Sequence, residues 1–304
     1  MQPTIARLGP RTPASRRLMV AAAGWGVSAV VHLGVLVATS GSWSGAVSFR
    51  KPIVFSASMG ALMWAAGWVM DRLPHRPRLA GTLSWTIVVS GTIEVALIAF
   101  QAWRGRASHF NVAQPGDAAI FGAMGAMVGV LSVALLILAI WSVVDRPDDR
   151  AERWALLGGQ AMVLTGLGIG QWIVDLGVRY FEQFGAVPDT VVAGAAGVAK
   201  FPHAVAFHGI HVFAVLWTLL LTANWSDRRR LAAMRRVVLA YGALLVVACA
   251  RTIAGHAPSD VGAVGGAIAV LAGAVILGQV TAAGVAAFRP EARNEVAPVP
   301  IGVR

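Results

Sequence analysis

The sequence predicts an all-α protein that crosses a lipid bilayer about eight times. Of its 304 residues, 57% are hydrophobic and only 13% are charged, whereas an ordinary soluble domain carries about 25% charged residues. The apolar residues fall into runs long enough to cross the hydrocarbon core, roughly 30 Å thick, as helices. A chain of this composition needs lipid as its solvent, so the bilayer is its first predicted partner.

Eight apolar runs divide the chain into a transmembrane bundle and two tails. The predicted spans are residues 18–40, 52–70, 79–103, 117–144, 153–175, 200–225, 235–254 and 261–288. Residues 1–17 are predicted to form an N-terminal tail, and residues 18–288 to form the bundle. Residues 289–304 contain several prolines and no apolar periodicity, which predicts a disordered C-terminal tail.

Basic residues in the loops predict the orientation of the protein. Each loop on the side of the termini carries at least three arginines, and each loop on the other side carries at most two basic residues. Because cytoplasmic loops are enriched in lysine and arginine, both termini are predicted to be cytoplasmic. The strong preference for arginine over lysine indicates a GC-rich bacterial genome, and therefore a bacterial inner membrane. This placement accounts for the net charge of +11, so no nucleic-acid partner is predicted.

A faint similarity between the halves of the chain predicts a four-plus-four internal repeat in parallel orientation. The string around His32 resembles the string around Asp175, and the only two lysines, Lys51 and Lys200, open the second and sixth spans. Parallel repeats occur in membrane transport proteins. The chance recurrence of short apolar strings is an equally weighted alternative. If the repeat exists, His32 and Asp175 are related by its pseudo-symmetry.

Ionisable side chains within the spans predict a buried site in the half of the bilayer away from the termini. At 1.5 Å per helical residue, His32 lies about 12 Å, Glu94 about 14 Å, and His208 and His211 about 12–16 Å below the helix ends on that side. Ionisable groups in lipid are costly and usually face the bundle interior with a functional role. For each one alone, a hydrogen-bonded structural role is the alternative.

Histidines make up the candidate metal site. His203, His208 and His211 fit within an arc of about 140° on one helix, and imidazole is a common ligand of Zn, Cu and Fe. Together with His32 they are predicted as metal ligands, and the suspected cofactor is a transition metal (Fe, Cu or Zn) or haem b. The His-x4-His-x2-His spacing matches no specific metal motif.

Two carboxylates complete the predicted chemistry. Glu94 and Asp175 are predicted as catalytic residues, with Glu94 as the proton acceptor. Arg251 also lies within a predicted span, where an unpaired guanidinium would be expensive. We therefore expect Arg251 to pair with Glu94 or Asp175, and this pairing alone would give those residues a structural role.

The loop after the third span is predicted to bind an anionic group. It carries two guanidiniums, an imidazole and an amide within a few residues, and arginine forks match carboxylates and phosphates. The predicted substrate-binding residues, including two basic residues near the same face, are Arg104, Arg106, His109, Asn111, Lys200 and Arg251. The alternative is a loop whose arginines and Trp103 only anchor the helix end at the lipid head groups.

This loop also resembles part of a known family. The string Gln-x-x-Arg-Gly-x-x-Ser-His-Phe-Asn that begins at Gln101, followed by Asp117 and by Phe-x-x-Met-Gly from Phe121, resembles a family of uncharacterised multi-pass bacterial membrane proteins. The resemblance covers about 25 residues and implies no activity. It favours the interpretation that the loop is part of the site.

Three classes of function agree with these features. The first hypothesis is a membrane enzyme that depends on a metal or haem and acts on a lipid or another hydrophobic molecule. The second is a proton-coupled transporter in which the same histidines and carboxylates relay protons, although carriers usually bind near the midplane. A receptor or a structural protein is the third. The sequence contains no phosphate-binding glycine loop and no serine-hydrolase elbow.

Overall fold

The computed structural model describes residues 9–288, and its main elements are eight long helices. The helices are α1 (Pro13–Ala38), α2 (Arg50–Met70), α3 (Pro77–Trp103), α4 (Pro115–Val144), α5 (Arg150–Phe184), α6 (Lys200–Thr222), α7 (Asp227–Ile253) and α8 (Gly262–Phe288). All eight are long and apolar enough to cross a bilayer, which confirms the predicted multi-pass architecture. The predicted C-terminal tail, 289–304, lies outside the described residues, as do residues 1–8 of the predicted N-terminal tail.

Helix α5 differs most from its predicted span. Its N-cap Asp149 accepts hydrogen bonds from the first backbone N–H groups, which stabilises a helix start. The helix continues past the predicted end at Asp175 to Phe184. It stops where Gly185 adopts the left-handed conformation with φ 63°, a conformation that glycine reaches at little cost.

A two-stranded hairpin lies in the connection between α5 and α6. Strands β1 (Val192–Ala193) and β2 (Gly197–Val198) are antiparallel. A side chain at Gly197 would collide with the carbonyl oxygen of Thr252 at the end of α7, so the hairpin packs closely against α7. Apart from this hairpin, the described chain agrees with the all-α prediction.

The eight crossings define two faces of the bundle. The terminal face is the side where α1 begins and α8 ends, and it carries the connections 71–76, 145–149 and 223–226. The opposite face carries the connections 39–49, 104–114, 185–199 and 254–261. Polar side chains of both faces contribute to the site described below.

Helix α2 lies at the centre of the bundle. Of its apolar segment, 61% is buried, compared with 11% for α1 and 6% for α8. Small residues permit the close packing: a side chain at Gly60 would come within 2.9 Å of the carbonyl oxygen of Ala22 on α1. On α5, Gly159 similarly makes room for Ile210 of α6. Close approach through small residues is the usual way in which helices associate in lipid.

The two halves of the chain pair their helices in the same way. In each half the first helix packs on the second, the third on the fourth, and the third also contacts the first and the second. The halves meet where α2 contacts α6 and α4 contacts α5. This pattern agrees with a four-plus-four repeat, which stays a prediction.

Single-cysteine labelling tests the orientation. Cys249 is the only cysteine, so a Cys249→Ser background can carry Asp148→Cys on the terminal face or Ser259→Cys on the opposite face, both at exposed positions. Because the arginine-rich terminal face is expected in the cytoplasm, a membrane-impermeant maleimide should label only Ser259→Cys in intact bacteria. Labelling of Asp148→Cys alone would contradict the predicted orientation.

Candidate functional site

His32 on α1 is engaged by its neighbours through both ring nitrogens. Nδ1 donates a hydrogen bond to the carbonyl oxygen of Ser28 at 2.8 Å, and Nε2 accepts one from Nε1 of Trp103 at 3.3 Å. The ring also stacks on Phe49. These contacts occupy both ring nitrogens, so neither is free to bind a metal ion.

Of the other three predicted ligands, His203 contacts α5, and His208 and His211 are neighbours on α6. His203 donates from Nδ1 to the carbonyl oxygen of Gly166 on α5 at 2.9 Å. His208 is exposed, and its ring centroid lies 5.5 Å from that of His211. Within residues 9–288, no three His, Cys, Asp or Glu side chains are arranged to hold a metal ion. The geometry therefore gives no support to the predicted metal or haem centre, which stays a prediction.

The two predicted catalytic carboxylates occupy different environments. Glu94 is only 6% exposed, and among the described residues it has no hydrogen-bond or ion-pair partner. Asp175 is exposed and accepts a hydrogen bond from Gln171 on the same helix. The expected pairing of Arg251 with either of them is wrong. Arg251 instead forms an ion pair with Asp260 at 2.9 Å, because the connection after α7 folds back over the guanidinium.

Asp117 organises the connection between α3 and α4. This carboxylate is 2% exposed and accepts hydrogen bonds from Gln101 at 3.0 Å, and from Arg104 and Asn111 at 3.1 Å. Arg106 lies 3.5 Å from its second oxygen. Gln101, Arg104, Arg106 and Asn111 are thus partners of one buried charge. A substrate-binding role for Arg104, Arg106 and Asn111 stays a prediction, and both guanidiniums remain partly exposed.

Phe110 fastens the same connection to the bundle. Its φ of 61° is in the left-handed region, which is unusual for a bulky residue. The buried ring lies against Gly177 of α5, where a side chain would collide with it, and it packs edge-on against Phe121 of α4. Strained backbone of this kind persists where packing enforces it, often at functional sites.

The strained turn holds His109 among cationic side chains. His109 Nδ1 lies 2.9 Å from the Ser108 hydroxyl, and its ring packs on Phe55. Burial lowers the pKa of His109, and the positive charges of Lys51 and Lys200 lower this pKa further. His109 is therefore neutral at pH 7, beside two lysines that begin different helices.

We call the three basic residues Arg50, Lys51 and Lys200, together with the neutral His109 beside them, the cation cluster. Arg50 lies within electrostatic reach of both lysines, and the lysines of each other. Neither α2 nor α6 has a side-chain N-cap, so the N–H groups of their first turns add positive partial charge. Asp189 partly offsets this charge. The prediction from sequence included Lys200 and His109 but missed Arg50 and Lys51. The sequence did offer one signal for this cluster: Lys51 and Lys200 open the second and the sixth predicted spans, which are equivalent in the two halves.

His211 lies at the point where the two halves of the chain meet. It stands halfway along α6, and its Nε2 donates to the carbonyl oxygen of Ala61, halfway along α2, at 2.9 Å. Its Nδ1 is buried without a hydrogen-bond partner among the described residues. The ring stacks on Trp64 at 6.0 Å. The middle of the bundle thus contains one imidazole nitrogen that is available to a ligand or a proton.

An ion pair joins the halves at the terminal face. Arg72, after the end of α2, lies 3.4 Å from the Glu152 carboxylate at the start of α5. Trp217 of α6 donates a hydrogen bond to the same carboxylate at 3.1 Å. Beside this ion pair is a cavity of about 160 Å³ whose walls include Trp64, Trp68, Arg72 and Thr218.

These features follow one another along the α2–α6 interface. The cation cluster lies at the opposite face, His211 halfway across, and the cavity with its ion pair at the terminal face. Trp64 belongs to two of these places, because it stacks on His211 and lines the cavity. Polar groups therefore lie at both ends and at the middle of this interface.

Gly177→Ala tests the packing that fastens the α3–α4 connection. The added methyl group would collide with the Phe110 ring, and overpacking of this kind costs about 1–3 kcal/mol. We expect a lower melting temperature in detergent. Gly168→Ala on the same helix is the matched control, because nothing lies within 4 Å of that position. Equal melting temperatures for the two variants would contradict the packing.

His109 predicts how stability depends on pH. Folding lowers its pKa, so below about pH 6.5 the unfolded chain binds a proton that the folded chain does not. The contribution of His109 to stability is therefore complete above that pH and is lost as the pH falls further. His109→Gln cannot take up this proton and should show a weaker dependence of melting temperature on pH.

The control for this measurement is His75→Gln, at an exposed position on the terminal face, which should keep the wild-type dependence. Identical pH profiles for wild type and His109→Gln would show that His109 is not held neutral by its surroundings.

Comparison with known proteins assigns no family to the chain. No family model, curated protein or solved structure matches the chain. The family resemblance is therefore limited to the α3–α4 connection.

Proposed function

We propose that the protein is a proton-coupled transporter that moves a small anionic molecule along the α2–α6 interface. One observation supports this proposal above others: the cation cluster, His211 and the cavity follow one another along that interface. The sequence alone favoured a membrane enzyme, partly because the predicted site lay in one half of the bilayer and not near its midplane, where carriers usually bind. The helix bounds place His211 at the middle of α6, near the depth at which carriers usually bind their cargo.

The cation cluster is suited to capture an anion. Three basic side chains and two uncapped helix N-termini lie together, and Asp189 already accepts a hydrogen bond from the backbone of Ala46. An anion would supply the missing negative charge, and cations held in a cleft also attract anions from solution. His109, kept neutral by its neighbours, can still exchange a hydrogen bond with such a ligand.

Two groups within the bundle are suited to carry a proton. His211 has a buried nitrogen without a hydrogen-bond partner in the described chain, and imidazole is the side chain that changes charge near physiological pH. Glu94 is a buried carboxyl group that also has no partner among the described residues. Ionisable groups in such positions are characteristic of proton relays in transport proteins.

The contacts between the halves differ at the two faces. At the terminal face, Arg72 pairs with Glu152 across the halves. At the opposite face, the contacts between the halves include a hydrogen bond from the backbone N–H of Ala46 to the Asp189 carboxylate and the packing of Phe110 on Gly177. In the proposed cycle the Arg72–Glu152 pair closes the terminal face while the cation cluster accepts its cargo, and release requires this pair to separate. We also propose that the terminal face is cytoplasmic in a bacterial inner membrane, because of its arginines.

The metal- or haem-dependent enzyme remains the alternative from the sequence. Three of its four predicted ligands are engaged by separate partners on other parts of the bundle, as described above for His32, His203 and His211. No specific contact favours that enzyme, or a receptor or structural role, over the transporter.

Reconstitution into liposomes tests the proposal. Purified protein in vesicles that contain a pH-sensitive dye is exposed to gradients of lactate, succinate, gluconate and phosphate. We expect a saturable flux of at least one of these anions, accompanied by protons. Lys51→Met and Lys200→Met should each slow this flux about tenfold or more, since each removes a charge from the capture site.

The matched control is Arg179→Met, which removes an exposed basic residue of α5 outside the cation cluster and should transport normally. Wild-type flux in both lysine variants would overturn the capture site. Absence of flux for every anion, together with a Soret band or stoichiometric Fe, Cu or Zn that is lost in His32→Ala and His208→Ala, would favour the enzyme.

A further inference from the structure

We propose that the cavity at the terminal end of the α2–α6 interface is a binding site for a small organic carboxylate. Its volume of about 160 Å³ is well above the space that one water molecule needs. The site deepens the proposed function, on which it rests for its place along the transport path. Its test measures binding without transport, so the two proposals can fail separately.

Two buried donors in the cavity wall form no hydrogen bond within residues 9–288, although Arg72 Nε lies 3.4 Å from Glu152 Oε1 in the ion pair described above. Trp68 is 4% exposed and the Arg72 side chain 8% exposed. Neither Nε1 of Trp68 nor Nε of Arg72 has a hydrogen-bond acceptor among the described residues. The Arg72 guanidinium lies 4.2 Å above the Trp68 ring, so the two donors are neighbours. Since buried donors are nearly always satisfied in folded proteins, this pair indicates a ligand that supplies acceptors.

The charge around Arg72 is consistent with an anionic ligand. Burial lowers the pKa of Arg72 to about 10, the nearby Glu152 acts in the opposite direction, and Arg11 lowers the pKa further. Glu152 also accepts a hydrogen bond from Trp217, and Asp71 accepts one from the backbone of Arg11. Glu152 is thus engaged by Trp217 and by Arg72 itself, and Asp71 by the backbone of Arg11. A carboxylate would offer two coplanar oxygens, the arrangement that an arginine fork recognises.

The remaining walls are consistent with an apolar body on the ligand. Trp64, Trp68 and Met19 line the cavity, and such surfaces favour ligands that remove apolar area from water. An inorganic oxyanion would lose its hydration there and gain few partners. We therefore expect a carboxylate joined to a ring or a short chain.

Benzoate is the probe for this site. It is titrated into the full-length protein in detergent and followed by calorimetry and tryptophan emission, and we expect saturable binding. Trp68→Phe keeps an aromatic ring but removes the Nε1 donor, and Arg72→Lys keeps the charge but removes the Nε donor. Each should weaken benzoate binding about tenfold or more. Trp85→Phe replaces an exposed tryptophan of α3 and should bind as the wild type does.

Several outcomes of these binding measurements would overturn the carboxylate site or one of its requirements. Absence of saturable benzoate binding by the folded wild type, or equal binding by Trp68→Phe and Arg72→Lys, would overturn the site. Equal binding of benzamide would overturn the requirement for a carboxylate, and tighter binding of inorganic phosphate would overturn the requirement for an apolar body. Unchanged benzoate binding in a transport-inactive Lys51→Met protein would show that this site stands apart from the capture step.

Discussion

A polar group in the hydrocarbon core of a bilayer has no water with which to form a hydrogen bond, and this constraint accounts for most of the contacts in the bundle. Helices satisfy the backbone, and nearby side chains or carbonyl groups satisfy most buried polar atoms. His32 uses both of its nitrogens, and Asp117 collects donors from four residues. Against this background, four buried atoms without a hydrogen-bond partner in the described chain are exceptional: Trp68 Nε1, Arg72 Nε, His211 Nδ1 and Arg230 Nε.

Three of these four exceptions lie on or against α2, and the fourth, Arg230, belongs to α7. Trp68 and Arg72 belong to the terminal end of α2, and His211 contacts the middle of that helix. Helix α2 is also the most buried of the described helices, so a path along it is shielded from lipid. His32, one of the four predicted metal ligands, lies on the more peripheral helix α1, and both its ring nitrogens are engaged there.

The contacts in the α3–α4 connection explain the residues of the family-like string that begins at Gln101. Gln101, Arg104 and Asn111 of this string bind Asp117, and Phe110 packs against α5 and Phe121. These contacts place His109 beside Lys51 and Lys200. The arginines of the string therefore support the position of His109, whether or not they also contact a ligand.

The sequence by itself determined the number of spans, since the length of an apolar run and the charge of the loops are local properties. Tertiary structure decided which side chains meet. These helices are apolar on nearly every side, so hydrophobic periodicity does not identify the face that turns inward. For that reason Arg251 was expected near Glu94 or Asp175 but pairs with Asp260, and His32, His203 and His211 contact different helices. The convergence of Lys51 and Lys200 on His109 likewise depends on helix packing and on a strained turn at Phe110.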